Sequence, residues 1–511
     1  MTVKRKLNWK HWLAGTSLLA GISALVSYLY IDHELTRMYG GLTTIAEHVI
    51  SADKHELVAI TNVNVLAPTS DYFSPSQTVI IRDGIITSVS SGDNIPVDAN
   101  LIDATGMFLV PGYTESHAHL WQSENDLLLF LANGITQVRE MNGSKQSLRW
   151  KEEIEAGRLG PDLYVVAPQL ATFGMLEGLF VGWTQNKIMI TSGNDADRTI
   201  KSLKSDGYDA VKASSFLDVE NFLAVNVAAH KHNMPLVGHI PNAIGQSELW
   251  ASTQEELAHI EELVKMLDAE FGDYTPDTTE AFLDYIRLQS DAVAERLLEN
   301  EIVVTTTLTL SDSFWKQKKN LGAELDRVEL EYVNPGISEG TAMTSRALAW
   351  LGDRHMYRWP EDITEENKER SLTYWKAYAE AHHIILDALI RADVNILVGT
   401  DTNVPTMVPG FSLHDEMVAL YQAGMSTADV LASATRIPGD WMGMNTGQIS
   451  PGYKANLVLL KENPLNDIGA TDTIETVFVK GSVLSRADLD EALRAVKAAN
   501  DKSRSISLPN H

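Results

Sequence analysis

The sequence predicts an α/β fold that contains a parallel (β/α)8 barrel, a smaller β-rich domain and an N-terminal hydrophobic helix. Apolar, strand-like segments alternate with helical patterns eight times in the middle of the chain, as in a parallel barrel. Short β-type segments separated by turn residues lie on both sides of that region. A 20-residue stretch without a charged residue, 12–31, lies near the N-terminus.

Composition limits the possible functions. The chain has 511 residues, which is enough for one large domain and one smaller domain. A net charge of −27 argues against nucleic acid or an anionic membrane surface as the main partner. The chain has no cysteine, which excludes disulfides, thiolate metal ligands and a cysteine nucleophile. A metal site would therefore need His, Asp, Glu or a modified side chain.

The uncharged stretch 12–31 follows a basic N-terminus and is closed by Asp32. Twenty helical residues span about 30 Å, which is the thickness of a bilayer core. A cleaved signal peptide is the alternative, but the bulky residues 27–31 are untypical of a cleavage site. We therefore expect residues 1–32 to form an uncleaved transmembrane anchor, with the catalytic domain exported to the periplasm or another extracytoplasmic space. Residues 33–55 are predicted to be a linker.

Two separated regions are predicted to form one β-domain. Residues 56–110 contain short β-type segments with turns such as Asp83-Gly84, and residues 446–485 contain similar segments. We expect both to pair around a central barrel at 111–445, followed by a C-terminal helix and tail at 486–511.

Eight apolar segments are the predicted barrel strands. They are 107–116, 134–141, 163–168, 209–214, 235–240, 256–261, 302–308 and 395–400. Barrel enzymes carry their chemistry at the carboxyl ends of the strands, so functional residues are expected there.

The first of these segments leads into His117 and His119. In a strand, residues i and i+2 point to the same side, so both imidazoles could approach one ion. Neutral imidazole is a common metal ligand. Two histidines alone are weak support, because two surface histidines would give the same pattern.

Four further polar residues lie at or near the ends of other predicted strands: Lys212 in the fourth, His239 in the fifth, His259 in the sixth and Asp401 in the eighth. Polar groups that end apolar strands are costly to bury without partners. Each one alone could be a core polar group with a hydrogen-bond partner. Together with the His-x-His pair they predict a metal site.

These motifs resemble the amidohydrolase superfamily, and more closely its imidazolonepropionase/prolidase-like branch. The resemblance covers roughly residues 56–485. It rests on Val110-Pro111-Gly112 through His119, on the four strand-end residues, and on downstream segments such as Leu413-His414-Asp415-Glu416 and Gly452-Tyr453-Lys454-Ala455-Asn456. It implies a distorted (β/α)8 barrel, a composite β-sandwich from both chain ends, and hydrolysis at a centre of one or two metals.

The resemblance also implies roles for the candidate residues. His117, His119 and Asp401 would bind a more buried metal, His239 and His259 a more exposed one, and Lys212 would bridge both as a carbamate. A metal-bound hydroxide would attack the substrate, and Asp401 would pass its proton to the leaving nitrogen. The residues that precede Lys212 resemble the branch of the family that carries a carbamate lysine, which implies two metals rather than one. Two zinc ions are expected, with manganese, iron or cobalt as alternatives.

The predicted function is metal-dependent hydrolysis of the C–N bond of a small amide, with a dipeptide or a modified amino acid as substrate. A mononuclear cyclic-amide hydrolase or deaminase is the alternative, and an inactive binding homologue is a third reading. A homo-oligomer is left open.

Three further polar residues lie near the predicted strand ends. Glu115 and Glu261 are expected either to orient the histidines or to lie on exposed loops, and Asn403 to face substrate. Two long segments, 169–192 and 309–394, are hypothesised to set substrate choice.

Overall fold

A computed structural model describes residues 9–47, 53–92 and 95–507. The strands in these residues are β1 Asp53–Lys54, β2 Leu57–Leu66, β3 Phe73–Arg82, β4 Ile85–Ser90, β5 Asn100–Asp103, β6 Phe108–Pro111, β7 Tyr113–Ala118, β8 Ile135–Glu140, β9 Asp162–Val165, β10 Leu170–Ala171, β11 Ile188–Met189, β12 Val211–Ala213, β13 Leu236–Gly238, β14 Glu256–Leu257, β15 Val303–Thr305, β16 Ile396–Leu397, β17 Leu457–Leu460, β18 Ile474–Val479 and β19 Ser482–Ser485.

Most of the helices lie between the strands of the central region. They are α1 Trp9–Met38, α2 Asp126–Ala132, α3 Lys145–Glu155, α4 Met175–Gln185, α5 Gly193–Asp206, α6 Val219–His232, α7 Gln246–Trp250, α8 Ile260–Phe271, α9 Thr279–Glu299, α10 Leu308–Leu325, α11 Pro335–Ser338, α12 Glu365–Arg391, α13 Phe411–Gln422, α14 Thr427–Ser433, α15 Arg436–Trp441 and α16 Arg486–Ser507, with a 3₁₀ helix at Ile468–Asp472.

Strands from both ends of the chain form one mixed sheet. Its order is β1-β19-β18-β17-β6-β2-β3-β4, and β5 pairs with β2. The antiparallel pair β17–β6, in which Val458 lies opposite Val110, joins the two chain ends. The strands of both predicted β-regions hydrogen-bond into this single nine-stranded sheet, whereas the composite sandwich stays a prediction.

The central parallel strands form three smaller sheets: β7-β8-β9, β11-β10-β12-β13 and β14-β15-β16. Single parallel bridges link the sheets at Val166–Ala210, Leu236–Gln254 and Ala118–Thr402. These links connect β7, β8, β9, β12, β13, β14, β15 and β16 in a ring whose carboxyl ends share one face. The predicted 107–116 strand is two strands, because the chain leaves the nine-stranded sheet after β6 and enters the ring at β7.

The predicted transmembrane helix is also wrong. Among residues 9–47, 53–92 and 95–507, no helix is both long enough and apolar enough to cross a membrane. Helix α1 covers most of the predicted anchor, while residues 1–8 lie outside the described part. The prediction relied on the absence of charge, but Thr16, Ser17, Ser23 and Ser27 lower the mean hydropathy of the helix. The expected export of the catalytic domain rested on this anchor and stays a prediction.

The carboxyl half of α1 and the residue that follows it pack against α4. The Tyr28 ring stacks on Trp183 with 4.8 Å between centroids. Trp183 Nε1 donates to Asp32 Oδ1 at 3.0 Å, and Tyr39 Oη donates to the Thr184 carbonyl at 2.9 Å. The predicted boundary at residue 32 therefore falls inside a helix that contacts the segment after β10.

A buried carboxylate connects the ring to the nine-stranded sheet. Asp162, at the start of β9, pairs with Lys454 at 2.9 Å and with Lys480 at 2.7 Å, and accepts from Asn456 Nδ2 at 3.0 Å. Burial alone would raise the pKa of Asp162, but the two ammonium groups outweigh it and hold the pKa below its ordinary value.

We expect Asp162→Asn to lower the free energy of unfolding by roughly 1–3 kcal/mol at pH 7, because two lysines lose a largely buried partner. The folded-state pKa lies below the unfolded value of about 3.9, so the stabilisation is full above that pH and is lost as the pH falls through the folded pKa. Urea unfolding from pH 3 to pH 7 measures this. Asp353→Asn, which breaks an exposed pair with Arg346, is the control; an equal effect of both substitutions would contradict the assignment.

Candidate metal centre

The six residues predicted from sequence all lie at the carboxyl ends of ring strands. His117 is in β7 and His119 follows it directly. Lys212 is in β12, and His239 follows β13. His259 and Asp401 are likewise positioned just after β14 and β16. Since these ends share one face of the ring, residues far apart in sequence converge there.

Three of these residues have donor atoms close enough to bind one ion. One ligand atom each from His117, His259 and Asp401 lies within 4.8 Å of the others. Asp401 Oδ1 is 3.0 Å from His119 Nε2 and 3.4 Å from His117 Nε2. That oxygen is buried, yet neither contact has the geometry of a hydrogen bond. The carboxylate oxygen and the two imidazole nitrogens are therefore placed as ligand atoms for an ion and not as hydrogen-bonded pairs.

The histidines of this cluster are held in the neutral form that binds metals. Burial lowers the pKa of His259 to about 4 and holds the pKa of His117 well below its ordinary value. His117 Nδ1 lies 3.1 Å from the Ala258 carbonyl, which leaves Nε2 directed at the centre. His259 Nδ1 lies 3.1 Å from Thr307 Oγ1. Such contacts to the second ring nitrogen orient metal-binding histidines.

His239 lies beside His259 at the edge of the cluster. The two rings are 5.6 Å apart at their centroids, and the rings of His117 and His259 are 4.4 Å apart. His239 Nδ1 and His119 Nδ1 are buried and have no hydrogen-bond partner. The compact group of His117, His259 and Asp401 combines ligands of both metals that the resemblance implies. The positions of the side chains therefore do not divide the ligands into two sets.

Lys212 lies inside the cluster as a fully buried side chain. Its Nζ is 3.4 Å from His117 Nε2. Burial lowers the pKa of Lys212 to about 8, which makes the neutral amine more abundant than in an exposed lysine. Gly238 leaves space for this chain, because a Cβ there would lie 2.6 Å from Lys212 Cγ. A neutral amine can accept CO2, and the resulting carbamate would offer two oxygens to metals.

Glu115 anchors the strand of His117 to the loop of Asp401. Its Oε1 accepts from the His117 N–H at 2.9 Å and the Thr400 N–H at 3.0 Å, and its Oε2 accepts from Thr400 Oγ1 at 2.7 Å. Glu115 is fully buried, and burial raises its pKa to about 8. It holds the backbone of the candidate ligands rather than their imidazoles. Glu261, in contrast, accepts from Tyr378 Oη at 2.8 Å.

A buried ion pair inside the ring was not predicted. Arg139 Nη2 donates to Glu256 Oε1 at 2.5 Å and to Thr305 Oγ1 at 2.8 Å, and Arg139 Nε donates to the Ser116 carbonyl at 2.6 Å. Glu256 Oε2 also accepts from the Gly238 N–H at 3.1 Å. This network ties together strands that carry or precede the candidate ligands. The sequence carries no local signal for this pair, because Arg139 and Glu256 lie on strands that are far apart in the chain.

Two residues considered near the site have other contacts. Asn403 is buried and donates to the His119 carbonyl at 3.1 Å and to Asp126 Oδ2 at 2.8 Å, so it supports the backbone instead of facing substrate. His414 contacts Thr471 Oγ1 at 3.0 Å and the Asn133 carbonyl at 3.1 Å, which is a structural role.

A cavity of about 500 Å³ opens onto the cluster. Its lining includes five of the six candidate residues, which are His119, Lys212, His239, His259 and Asp401. The opposite wall is formed by α1, the end of α4 and the segment after it. This volume is large enough for a small-molecule substrate.

Comparisons with known proteins agree with this geometry. The model of the protein family described as "Amidohydrolase family" matches residues 108–484, a range that contains all six candidate residues. The bottromycin amidohydrolase structure superposes with a TM-score of 0.66 at 20% identity, covering 91% of this chain and 96% of that one. A putative prolidase from Bifidobacterium longum gives a TM-score of 0.58 at 20% identity, over 87% and 99% of the two chains.

Similarity to curated relatives is confined to short segments. Ochratoxinase from Aspergillus niger is 34% identical over 97 residues, which are 18% of this chain and 19% of that relative. The matched part of this chain therefore spans about a fifth of the relative's length.

We expect Glu115→Ala to reduce bound metal and stability, because the buried N–H groups of His117 and Thr400 lose their acceptor at about 1–3 kcal/mol each. Glu115→Gln should stay near wild type, since the raised pKa makes the neutral acid dominant at pH 7 and glutamine resembles it. Elemental analysis after dialysis and thermal melting measure both effects. Glu152→Ala, on the exposed face of α3, is the control. Equal metal content in Glu115→Ala and wild type would overturn this role for Glu115.

Proposed function

The chain belongs to the amidohydrolase family, and we propose that it is a metal-dependent hydrolase of a small amide, with dipeptides or modified amino acids as its substrates. Family membership identifies the chain as a hydrolase that acts on C–N bonds. The observation that carries the proposal is the convergence of neutral histidines and a carboxylate at one end of the ring, beside a cavity of substrate size.

The residues fit a divalent metal centre. Asp401 Oδ1 lies 3.4 Å from His117 Nε2 and 3.0 Å from His119 Nε2, and this oxygen has no hydrogen-bond partner. His117, His119 and Asp401 would hold one ion, His239 and His259 a second, and Lys212 as a carbamate would contact both. When bound, the metals would acidify a water molecule and polarise the substrate carbonyl.

Asp401 is the proposed proton carrier. Burial opposes its ionisation, but the contact with His119 Nε2 at 3.0 Å outweighs burial and holds the pKa of Asp401 below its ordinary value. An ionised Asp401 could accept a proton from the attacking water at a carboxylate oxygen and deliver it to the leaving nitrogen. The C–N bond then breaks with release of a neutral amine and a carboxylic acid.

The substrate class is supported by the cavity and by the names of similar structures. A volume of about 500 Å³ suits a dipeptide. Similar structures include a putative prolidase and a Xaa-Pro dipeptidase with bound methionine. A one-metal hydrolase is the second candidate, because only His117, His259 and Asp401 form a compact ligand group among the described residues.

We expect the protein, loaded with zinc or manganese, to hydrolyse members of a dipeptide library. Asp401→Asn should lower kcat/KM by roughly 10²- to 10⁴-fold, because general acid–base catalysis contributes about that much. Amine release measured by a ninhydrin assay reports turnover. Asp415→Asn, on α13 and partly exposed, is the matched control and should retain activity. Wild-type protein that cleaves no dipeptide or N-acyl amino acid would contradict the proposed function.

The number of metals is tested at Lys212. We expect Lys212→Ala to lower bound metal from two ions per chain to one or fewer, because the bridging ligand is removed. Elemental analysis of purified protein, reconstituted with and without bicarbonate, measures the count. A wild-type value of one ion per chain, unchanged in Lys212→Ala, would favour the one-metal candidate.

A further inference from the structure

Outside the candidate metal ligands, the described lining of the active-site cavity carries two charged side chains. They are Asp32 on α1 and Lys187, which follows α4. Lys187 lies in the segment 169–192, which the sequence suggests as a determinant of substrate choice. The two side chains form no ion pair with each other, so the cavity has one cationic and one anionic position available to a ligand.

Lys187 is held in place by two contacts that leave its charge unpaired. Its Nζ donates to Gln169 Oε1 at 2.9 Å and lies 4.9 Å from the centre of the Phe216 ring. Neither contact supplies a negative charge. Burial lowers the pKa of Lys187, and no carboxylate acts against this effect. An ammonium has three N–H donors, so two remain for a ligand in the cavity.

The backbone that carries Lys187 is fixed. Asn186, in a left-handed conformation at φ 53°, caps α4 and donates to the carbonyls of Asn142 and Gly143 at 3.2 and 3.1 Å. The Ile188 N–H donates to the Gln169 carbonyl at 2.9 Å. The position of the ammonium is therefore set by the fold and not by a flexible loop tip.

Lys187 also lies near the candidate metal centre. His239 and Lys187 line the same cavity. A substrate with its amide at the cluster could therefore place a second group against Lys187.

Building on the proposed function, we propose that Lys187 is the carboxylate-binding residue of the substrate site and that the enzyme acts on amides carrying a free carboxylate. A charge-assisted hydrogen bond from a fixed ammonium is a strong anchor for such a group. Asp32, held by Trp183 at the wall of the same cavity, would repel a carboxylate and so favour one orientation of the substrate.

The test compares Lys187→Met with wild type on two substrates. These are the best-cleaved dipeptide of the library and the same dipeptide as its C-terminal carboxamide. We expect wild type to prefer the free carboxylate. Lys187→Met should lose roughly 10- to 100-fold in kcat/KM on the carboxylate, mainly through KM, and change less than about 3-fold on the carboxamide. Lys187→Arg should retain most of the preference.

Two controls keep the test decisive. Lys201→Met, on the exposed face of α5, should leave both rates unchanged. Metal content equal to that of wild type shows that Lys187→Met has kept the centre intact. If wild type turns over both substrates and Lys187→Met loses activity equally on both, or on neither, Lys187 does not bind the carboxylate. That result would leave the proposed function standing. Absence of turnover by wild type would overturn the proposed function and this inference with it.

Discussion

The candidate centre depends on the buried carboxyl group of Glu115. It accepts the N–H of His117 and both donors of Thr400, so it joins the first strand of the ring to the loop after the last one. The backbone of His117 in turn accepts from the Asp401 N–H at 2.9 Å. Two segments nearly 300 residues apart in sequence are thereby held in register, and the donor atoms of both point at one position.

Below the candidate metal centre, the interior of the ring contains charged side chains that form an ion pair. Arg139 and Glu256 form a buried pair that also binds Thr305, and a buried pair of this kind specifies geometry more than it adds stability. Position 399, which precedes Thr400 and Asp401, requires glycine, because a Cβ there would lie 2.9 Å from the backbone nitrogen of His117. Close packing on both sides limits how far the imidazoles can move, which is the preorganisation that catalysis at a metal centre needs.

The sequence predicted the six candidate residues because a ring of parallel strands places its strand ends together. It could not predict Arg139–Glu256 or the hydrogen bonds of Glu115, since side-chain pairing between distant strands has no local signal. The membrane anchor was wrong because uncharged residues were treated as apolar ones. Lys187 could not be predicted from sequence either. Only the folded chain shows that it shares a cavity with His239 and that α1 forms the opposite wall.

We propose that the strand-end residues bind a catalytic metal between His117, His259 and Asp401, whose ligand atoms lie within 4.8 Å of one another. Anomalous diffraction at the zinc edge, from crystals of the zinc-loaded protein, tests this most directly. We predict a peak about 2.0–2.2 Å from His117 Nε2 and from a carboxylate oxygen of Asp401. A zinc-loaded crystal without a peak between these two residues, or with zinc bound only elsewhere on the surface, would contradict it.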